Sequence, residues 1–290
     1  MKLEGAKVLI TGASGGIGTA TAQRLAAAGA RVLLVGRDSL RLEALARRLE
    51  RTRGSAAALT ADITTSAGRE AIVETAGRWQ GGIDAIVNLA GTNHFGMFEQ
   101  QSTAEVERIV STNALAPMLL CHALLPVLRA RPQAHIVNVG SILGSIALPG
   151  NAAYSASKFA LRGFSEALRR ELADTRIRVH YVAPRATATA FNQPEVEAMN
   201  RDLKVAMDPP ELVAAAIESA LNSERAEMFL GWPEKLFVRL NAILPRLVDR
   251  ALRKQLPVVQ HHAGALVAPE PRRSQSGSAE HEHRHIHANG

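Results

Sequence analysis

The chain has 290 residues, of which 47% are apolar and 4% aromatic, with 34 Lys and Arg against 27 Asp and Glu. This length fits one large α/β domain with an appendage better than two full domains. The net charge of +7 does not indicate nucleic-acid binding, because the sequence has neither zinc-ligand spacing nor an aromatic-basic RNA motif.

From Lys7 to about Leu230, short β-branched runs alternate with longer helical stretches. This alternation predicts parallel βαβ units with right-handed crossovers, and hence a doubly wound, mostly parallel seven-stranded sheet of the Rossmann type. The predicted strands are Lys7–Ile10, Arg31–Val35, Ala57–Thr60, Ala85–Asn88, His135–Val139, Arg178–Val182 and Glu227–Leu230. The predicted helices include Gly18–Ala28, Leu40–Arg51 and Ala153–Ala173. Ligands of such sheets bind beyond the carboxyl ends of the strands.

A glycine-rich turn follows the first predicted strand. Its glycines permit a tight bend and let backbone N–H groups approach a pyrophosphate, and the helix that starts there adds a favourable dipole. A plain turn is the alternative, but the place between a strand and a helix favours dinucleotide binding. The expected contacts are Gly12, Ser14, Gly15, Gly16, Ile17 and Gly18.

The end of the second strand indicates which dinucleotide binds. An NAD site has an acidic residue there to accept a hydrogen bond from the ribose 2′-hydroxyl. Here Gly36 stands at that position, and the guanidinium of Arg37 follows, which is suited to a 2′-phosphate. The sequence therefore favours NADP; in the alternative interpretation Arg37 is a solvated loop residue and Asp38 reaches the ribose.

Tyr154 and Lys158 open a long predicted helix and share one of its faces, with Ser141 just past the fifth strand. A phenol pKa of about 10 is too high for efficient proton exchange near neutrality. An ammonium at ~4 Å stabilises a phenolate by about 4 kcal/mol at an effective dielectric of ~20, so we expect Lys158 to lower the pKa of Tyr154. Ser141 would hydrogen-bond a substrate oxygen as charge develops on it. Each of these residues alone often occurs at such a position by chance. Their combination in this order and spacing, after the glycine turn, is improbable as a coincidence.

Together these motifs resemble the short-chain dehydrogenase/reductase family, in its single-domain branch with 3-oxoacyl-carrier-protein reductases and hydroxysteroid dehydrogenases. The resemblance runs from Lys7 to Leu230. It implies a catalytic tetrad of Asn113, Ser141, Tyr154 and Lys158, in which Asn113 kinks a helix and relays a proton through water to the lysine. It further implies cofactor contacts from Asp62, Ile63, Asn88, Ala90, Gly91, Tyr154, Lys158, Pro184, Thr187 and Thr189, and assembly into homodimers or homotetramers.

One position departs from the family pattern. The family commonly has Pro-Gly after the sixth strand, whereas Arg185 follows Pro184 here. This arginine puts the backbone geometry beside the nicotinamide, and with it the choice of substrate, in question. The intact tetrad still indicates an active enzyme.

The resemblance also implies that the segment after Thr189 forms the family's variable flap over the substrate. Its apolar side chains favour a small lipophilic ketone, aldehyde or alcohol over a sugar, although each residue could instead be ordinary core. The expected substrate contacts are Ser141, Leu143, Leu148, Tyr154 and Phe191, with His94, Ile146, Met199 and Met207 as further candidates.

Beyond the domain of residues 1–233, residues 234–256 predict an amphipathic helix, kinked at Pro245, with one basic flank. Six Lys and Arg against two acids between Glu234 and Lys254 account for +4 of the net charge. Such a helix lies either in a membrane interface or against its own domain or a partner subunit. Residues 257–290 are rich in Pro, Ser and His and predict a tail without fixed structure. We expect no functional metal site there.

The start of the chain lacks the apolar core of an export signal, and no run is apolar for long enough to cross a bilayer. Cys121 has no disulfide partner and lies in an apolar run, which predicts a buried thiol in a reducing compartment. These features predict a cytoplasmic, NADPH-dependent reductase of lipophilic carbonyl compounds. A 3-oxoacyl thioester reductase is the alternative among enzymes, and an NADP-binding regulatory or scaffold protein is the alternative outside them.

Overall fold

The computed structural model describes residues 1–50, 55–223 and 225–264. A seven-stranded parallel sheet forms its centre, with the strand order β3-β2-β1-β4-β5-β6-β7. The strands are β1 (Lys7–Thr11), β2 (Arg31–Gly36), β3 (Ala56–Thr60), β4 (Ala85–Asn88), β5 (Ala134–Val139), β6 (Ile177–Ala183) and β7 (Glu227–Phe229). The predicted doubly wound sheet is confirmed.

Eleven helices are found within the described residues, and they cover both faces of the sheet. Side chains alternate between the faces: Val8 and Ile10 pack into one apolar cluster, and Leu9 packs into the other. The helices are α1 (Gly16–Ala27), α2 (Ser39–Leu49), α3 (Ser66–Arg78), α4 (Thr103–Val110), α5 (Ala116–Arg129), α6 (Ala152–Glu171), α7 (Pro194–Asp202), α8 (Pro210–Ser223), α9 (Glu234–Ile243), α10 (Pro245–Arg253) and α11 (Leu256–His262). The second predicted helix ends at Leu49, and its predicted last residue, Arg51, lies outside the described residues.

The strand order reverses between β1 and β4, which opens a crevice at the carboxyl edge of the sheet. The Thr11 hydroxyl accepts hydrogen bonds from the backbone N–H groups of Leu89 (3.1 Å) and Ala90 (3.3 Å) and so joins the two strand ends. Asn88 donates to Asn138 (2.8 Å) across β4 and β5. Buried hydrogen bonds thus fix the walls of the crevice.

The stretch Thr103–Arg129 is, by length and composition alone, apolar enough to cross a membrane, contrary to the sequence prediction. In the fold its α5 part packs against the sheet through Leu120, Leu124 and Leu128. Cys121 lies among them and is buried, as predicted. Packing against the sheet explains the apolar character of this stretch.

The C-terminal arm, residues 234–264, differs from its prediction. It is three short helices, α9, α10 and α11, and the first break falls at Leu244 beside the predicted kink at Pro245. Helix α11 lies where the sequence predicted an unstructured tail, so that boundary is wrong. Val259 on α11 packs with Phe95 and Met199, and this apolar contact outweighs the composition of the segment. The remaining tail, residues 265–290, lies outside the described residues.

Candidate active site

The glycine turn between β1 and α1 brings backbone very close to backbone. A Cβ on Gly12, where φ is +66°, would lie 2.7 Å from the Ala90 Cα, and one on Gly18 would lie 2.2 Å from the Gly12 carbonyl oxygen. A Cβ on Gly16 would lie 2.6 Å from Thr189. Helix α1 begins directly at Gly16 with free N–H groups at its first turn. The turn therefore fits the pyrophosphate of a dinucleotide.

Next to this turn, Arg37 faces Asp62. Burial acts to raise the pKa of the Asp62 carboxyl, but two hydrogen bonds from Thr64 and, as the smallest contribution, the charge of Arg37 together outweigh burial and lower it. Asp38 is already engaged, because its side chain caps α2 by accepting from the Arg41 N–H at 3.0 Å. That engagement argues against Asp38 as a ribose ligand. The Ile63 side chain packs in the core, so only its backbone could meet a cofactor.

Tyr154, Lys158 and Ser141 meet at the mouth of the crevice. The first two turns of α6 carry Tyr154 and Lys158, and the Lys158 Nζ lies 5.7 Å from the centre of the Tyr154 ring. Ser141 follows β5, and its side chain lies close enough to the Tyr154 hydroxyl to act on the pKa of that hydroxyl. Lys158 donates a hydrogen bond to the Val139 carbonyl at 3.1 Å. The structure thus brings together the three residues that the sequence predicted.

The predicted lowering of the Tyr154 pKa is not found. Burial raises the pKa of Tyr154 to about 12, against a smaller lowering by the hydrogen bond with Ser141. Burial also lowers the pKa of Lys158 to about 8. The ammonium contacts the face of the ring and a carbonyl, so it does not offset the cost of burying a phenolate.

The lowered pKa of Lys158 makes stability depend on pH. Between about pH 8 and 10.5 the unfolded lysine binds more protons than the folded one, so the free energy of unfolding rises with pH in that window. From pH 8 to pH 10 we expect wild type to gain about 2 kcal/mol relative to Lys158→Met. Urea unfolding at both pH values measures this gain, and parallel curves for the two proteins would contradict it.

Asn113 lies in a π-helical turn, Ser111–Leu115, between α4 and α5, where the resemblance implied a distorted helix. Its Oδ1 accepts from the Thr92 N–H at 2.8 Å, and its Nδ2 donates to the Thr92 carbonyl and to the Ser157 hydroxyl at 3.0 Å. A Cβ on Gly91 would lie 3.3 Å from this Oδ1 and 3.8 Å from the Lys158 Nζ. Asn113 is therefore fixed beside the lysine, and its part in proton relay stays a prediction.

Tyr181 on β6 supports Ser141 and was not foreseen. Its buried hydroxyl donates to the Ser141 carbonyl (3.3 Å) and accepts from the Ser141 N–H (3.5 Å). A Cβ on Gly140 would lie 2.1 Å from that hydroxyl, so the tyrosine requires glycine there. Glycine before the serine, at Gly140 and Ser141 after β5, could have indicated a close contact at this point. The sequence does not show that the Tyr181 side chain makes that contact.

Arg185 replaces the family's glycine and forms a charge cluster. Its guanidinium contacts Asp208 at 2.7 Å and Glu234 at 3.3 Å, and its side chain is only 18% exposed. It therefore ties the end of β6 to the loop before α8 and to the start of the C-terminal arm. Hydrogen bonds fix the backbone on either side of Arg185: the Pro184 carbonyl accepts from the Ile142 N–H, and the Thr187 carbonyl accepts from the Asn192 amide. Cofactor contacts of Pro184 and Thr187 stay a prediction.

The predicted substrate contacts divide into two groups. Phe191 is 45% exposed and its ring lies 6.3 Å from that of Tyr154, and Leu143 is half-buried beside Ser141, so both can line a cleft. The others are engaged elsewhere. Leu148 and Ile146 pack in the core beneath the C-terminal arm, Met199 packs against α11, Met207 accepts from Asn200, and His94 pairs with Glu105.

The parallel sheet, the glycine turn and this side-chain cluster define an α/β protein of the dinucleotide-binding class. A model of the family described as short chain dehydrogenase matches residues 6–200. The chain therefore belongs to the short-chain dehydrogenase/reductase family of oxidoreductases.

Individual relatives agree with this family. The ketoacyl reductase HetN of a Nostoc species is 32% identical over 257 residues, which cover 87% of this chain and 89% of that protein. The solved structure of a 3-ketoacyl-(acyl-carrier-protein) reductase from Brucella melitensis, complexed with NADH, is 29% identical with a TM-score of 0.73 and covers 80% of this chain and 99% of that one. A Burkholderia phymatum family member in complex with NAD shares the fold at 21% identity and a TM-score of 0.77, covering 85% of this chain and 96% of that one.

Proposed function

We propose that the protein is an NADPH-dependent reductase that interconverts a lipophilic ketone or aldehyde and its alcohol. The observation that carries this proposal is the convergence of Ser141, Tyr154 and Lys158 beside the glycine turn. The half-buried Tyr154 phenol and the Ser141 hydroxyl lie close enough together to reach one substrate oxygen. The apolar ring of Phe191 next to Tyr154 supports a lipophilic substrate.

The residues of this site divide the chemistry among them. A bound nicotinamide would supply the hydride. Ser141 donates a hydrogen bond to the carbonyl oxygen where negative charge develops, and Tyr154 gives that oxygen its hydroxyl proton. Lys158 places positive charge at the ring face, which favours the phenolate that remains but does not by itself offset the cost of burying it. Asn113 keeps the neighbouring π-helical turn and Ser157 in place.

Arg37 supports NADP as the cofactor, although the two solved relatives named above were bound to NAD or NADH. We expect the KM for NADPH to be at least about tenfold below that for NADH, as one guanidinium–phosphate contact provides. Arg37→Gln should remove most of the difference, while Arg47→Gln, at the far end of α2, should not. A preference for NADH in wild type would overturn the NADP assignment.

Turnover on a panel of free ketones, aldehydes and 3-oxoacyl thioesters, followed by NADPH absorbance, tests the substrate class. Activity confined to thioesters would favour the alternative suggested by the two ketoacyl reductases among the relatives. Cofactor binding without turnover on any compound of the panel would favour a regulatory or scaffold protein.

Assembly and location are part of this proposal. Leu115 and Leu119 near the start of α5 and Phe159 on α6 are exposed, and they would supply the apolar contact of a homodimer or homotetramer. The buried thiol of Cys121 agrees with a reducing, cytoplasmic environment.

A further inference from the structure

The C-terminal arm and the residues just before it expose an unusual amount of apolar surface. Trp232 is 70% exposed and Ile243 is 76% exposed. Together with four exposed leucine and phenylalanine side chains of the same segment they are here called the apolar stripe. Its members are Trp232, Leu236, Phe237, Ile243, Leu244 and Leu247.

Contacts on the opposite side fix which face of the arm points outward. Val238 and Val248 are buried against Ile142 and Tyr181 of the catalytic domain. The Asn241 amide donates to the Ser145 carbonyl at 2.9 Å. The inner face of the arm thus packs on the chain's own domain, which was one of the two alternatives that the sequence left open. The apolar stripe lies on the outer face and stays exposed, so the membrane alternative concerns that face.

A cationic cleft of about 520 Å³ lies between β7 and α9, next to the stripe. Four cations line it, and Glu227 is the acidic member of the lining; the cations are Arg162, Arg225, Lys235 and Arg239. Met228, Phe229 and Val238 give it apolar walls. Arg162 is held in place by a hydrogen bond to the Ser145 hydroxyl (2.8 Å) and lies 5.1 Å from the centre of the Phe229 ring.

Lys235 and Arg239 are four residues apart and lie on one face of α9, between the cleft and the stripe. Helix α10 and the residue just past its end add four more cations to the arm, namely Arg246, Arg250, Arg253 and Lys254. Glu234, one of the two acids of the segment, is already paired with Arg185. Apolar surface bordered by cations matches a layer of anionic headgroups above lipid chains.

We propose that the apolar stripe and the cationic cleft dock the protein onto an anionic membrane surface, with the stripe among the lipid chains and headgroup phosphates in the cleft. A second copy of the chain fits the surface less well. A symmetric interface would place the same basic flanks opposite each other, and like charges repel. The proposal does not depend on the reductase function, because its test has no turnover readout.

Co-sedimentation with vesicles tests the proposal on the full-length chain. Vesicles of phosphatidylcholine and phosphatidylglycerol in equal parts should bind the protein, those of phosphatidylcholine alone should bind it far less, and added sodium chloride should release it. The double variant Lys235→Gln/Arg239→Gln should bind roughly thirtyfold more weakly. Phe237→Ser/Ile243→Ser should bind at least roughly tenfold more weakly.

Matched controls test whether vesicle binding depends on this surface or on the overall charge and apolar surface of the protein. Arg47→Gln/Arg48→Gln removes the same charge from the exposed end of α2, and Leu212→Ser removes an exposed leucine from α8; both should bind vesicles like wild type. Point variants are preferable to deleting the arm, because a deletion also uncovers the core under Val238 and Val248. Equal binding to both vesicle types, no binding to vesicles, binding of inorganic phosphate together with no binding to vesicles, or loss of vesicle binding in the controls would each overturn the proposal.

Discussion

Replacing Tyr154 by phenylalanine is expected to lower kcat for carbonyl reduction by about a thousandfold, within the range that general acid catalysis supplies. The change removes one hydroxyl, which lies beside the Ser141 side chain, and leaves the ring beside Phe191 and Lys158. NADPH binding should change little, because the glycine turn and Arg37 are untouched. Stopped-flow reduction and a fluorescence titration with NADPH measure the two effects separately.

The chain supplies a matched control, since Tyr181 is its other tyrosine. Tyr181→Phe also removes a buried hydroxyl, but that hydroxyl contacts the backbone of Ser141 and acts only by positioning it. We expect a smaller fall in kcat from Tyr181→Phe than from Tyr154→Phe. Equal losses in both variants would show that Tyr154 contributes packing rather than a proton.

Replacing Arg185 by methionine is expected to reduce the free energy of unfolding by about 3 kcal/mol. Methionine keeps much of the apolar stem, but it leaves Asp208, whose side chain is 7% exposed, as a buried charge without its 2.7 Å partner. Glu234 loses the same partner at the start of the C-terminal arm. Urea unfolding at neutral pH measures the loss.

A double variant and an exposed pair test whether the buried charge is the cause. Arg185→Met/Asp208→Asn should be less destabilised than the sum of the two single variants, because neither charge is then left alone. Arg78→Met breaks an ion pair with Glu74 in which both side chains are more than 60% exposed, and it should cost less than about 1 kcal/mol. If the losses in the free energy of unfolding from the Arg185 and Asp208 substitutions were strictly additive, the two charges would not stabilise the fold as a pair.

Most of the fold and the centre of the site could be predicted from the sequence, since both depend on local patterns. Five of the seven strands appear as β-branched runs between helices, and Tyr154 and Lys158 share a helix face because of their spacing alone. The Arg185 cluster could not be predicted in this way, because its partners Asp208 and Glu234 are 23 and 49 residues further along the chain. The raised pKa of Tyr154 depends on how deeply the folded chain buries it, which spacing does not show.

The buried thiol of Cys121 can report local unfolding between α5 and the sheet. Its sulfur accepts a hydrogen bond from Asn88 at 3.2 Å, and burial raises its pKa to about 12. Alkylating reagents attack only an accessible thiolate. The sulfur is therefore unreactive while α5 packs on the sheet. Its labelling rate reports the fraction of molecules in which α5 has separated from the sheet.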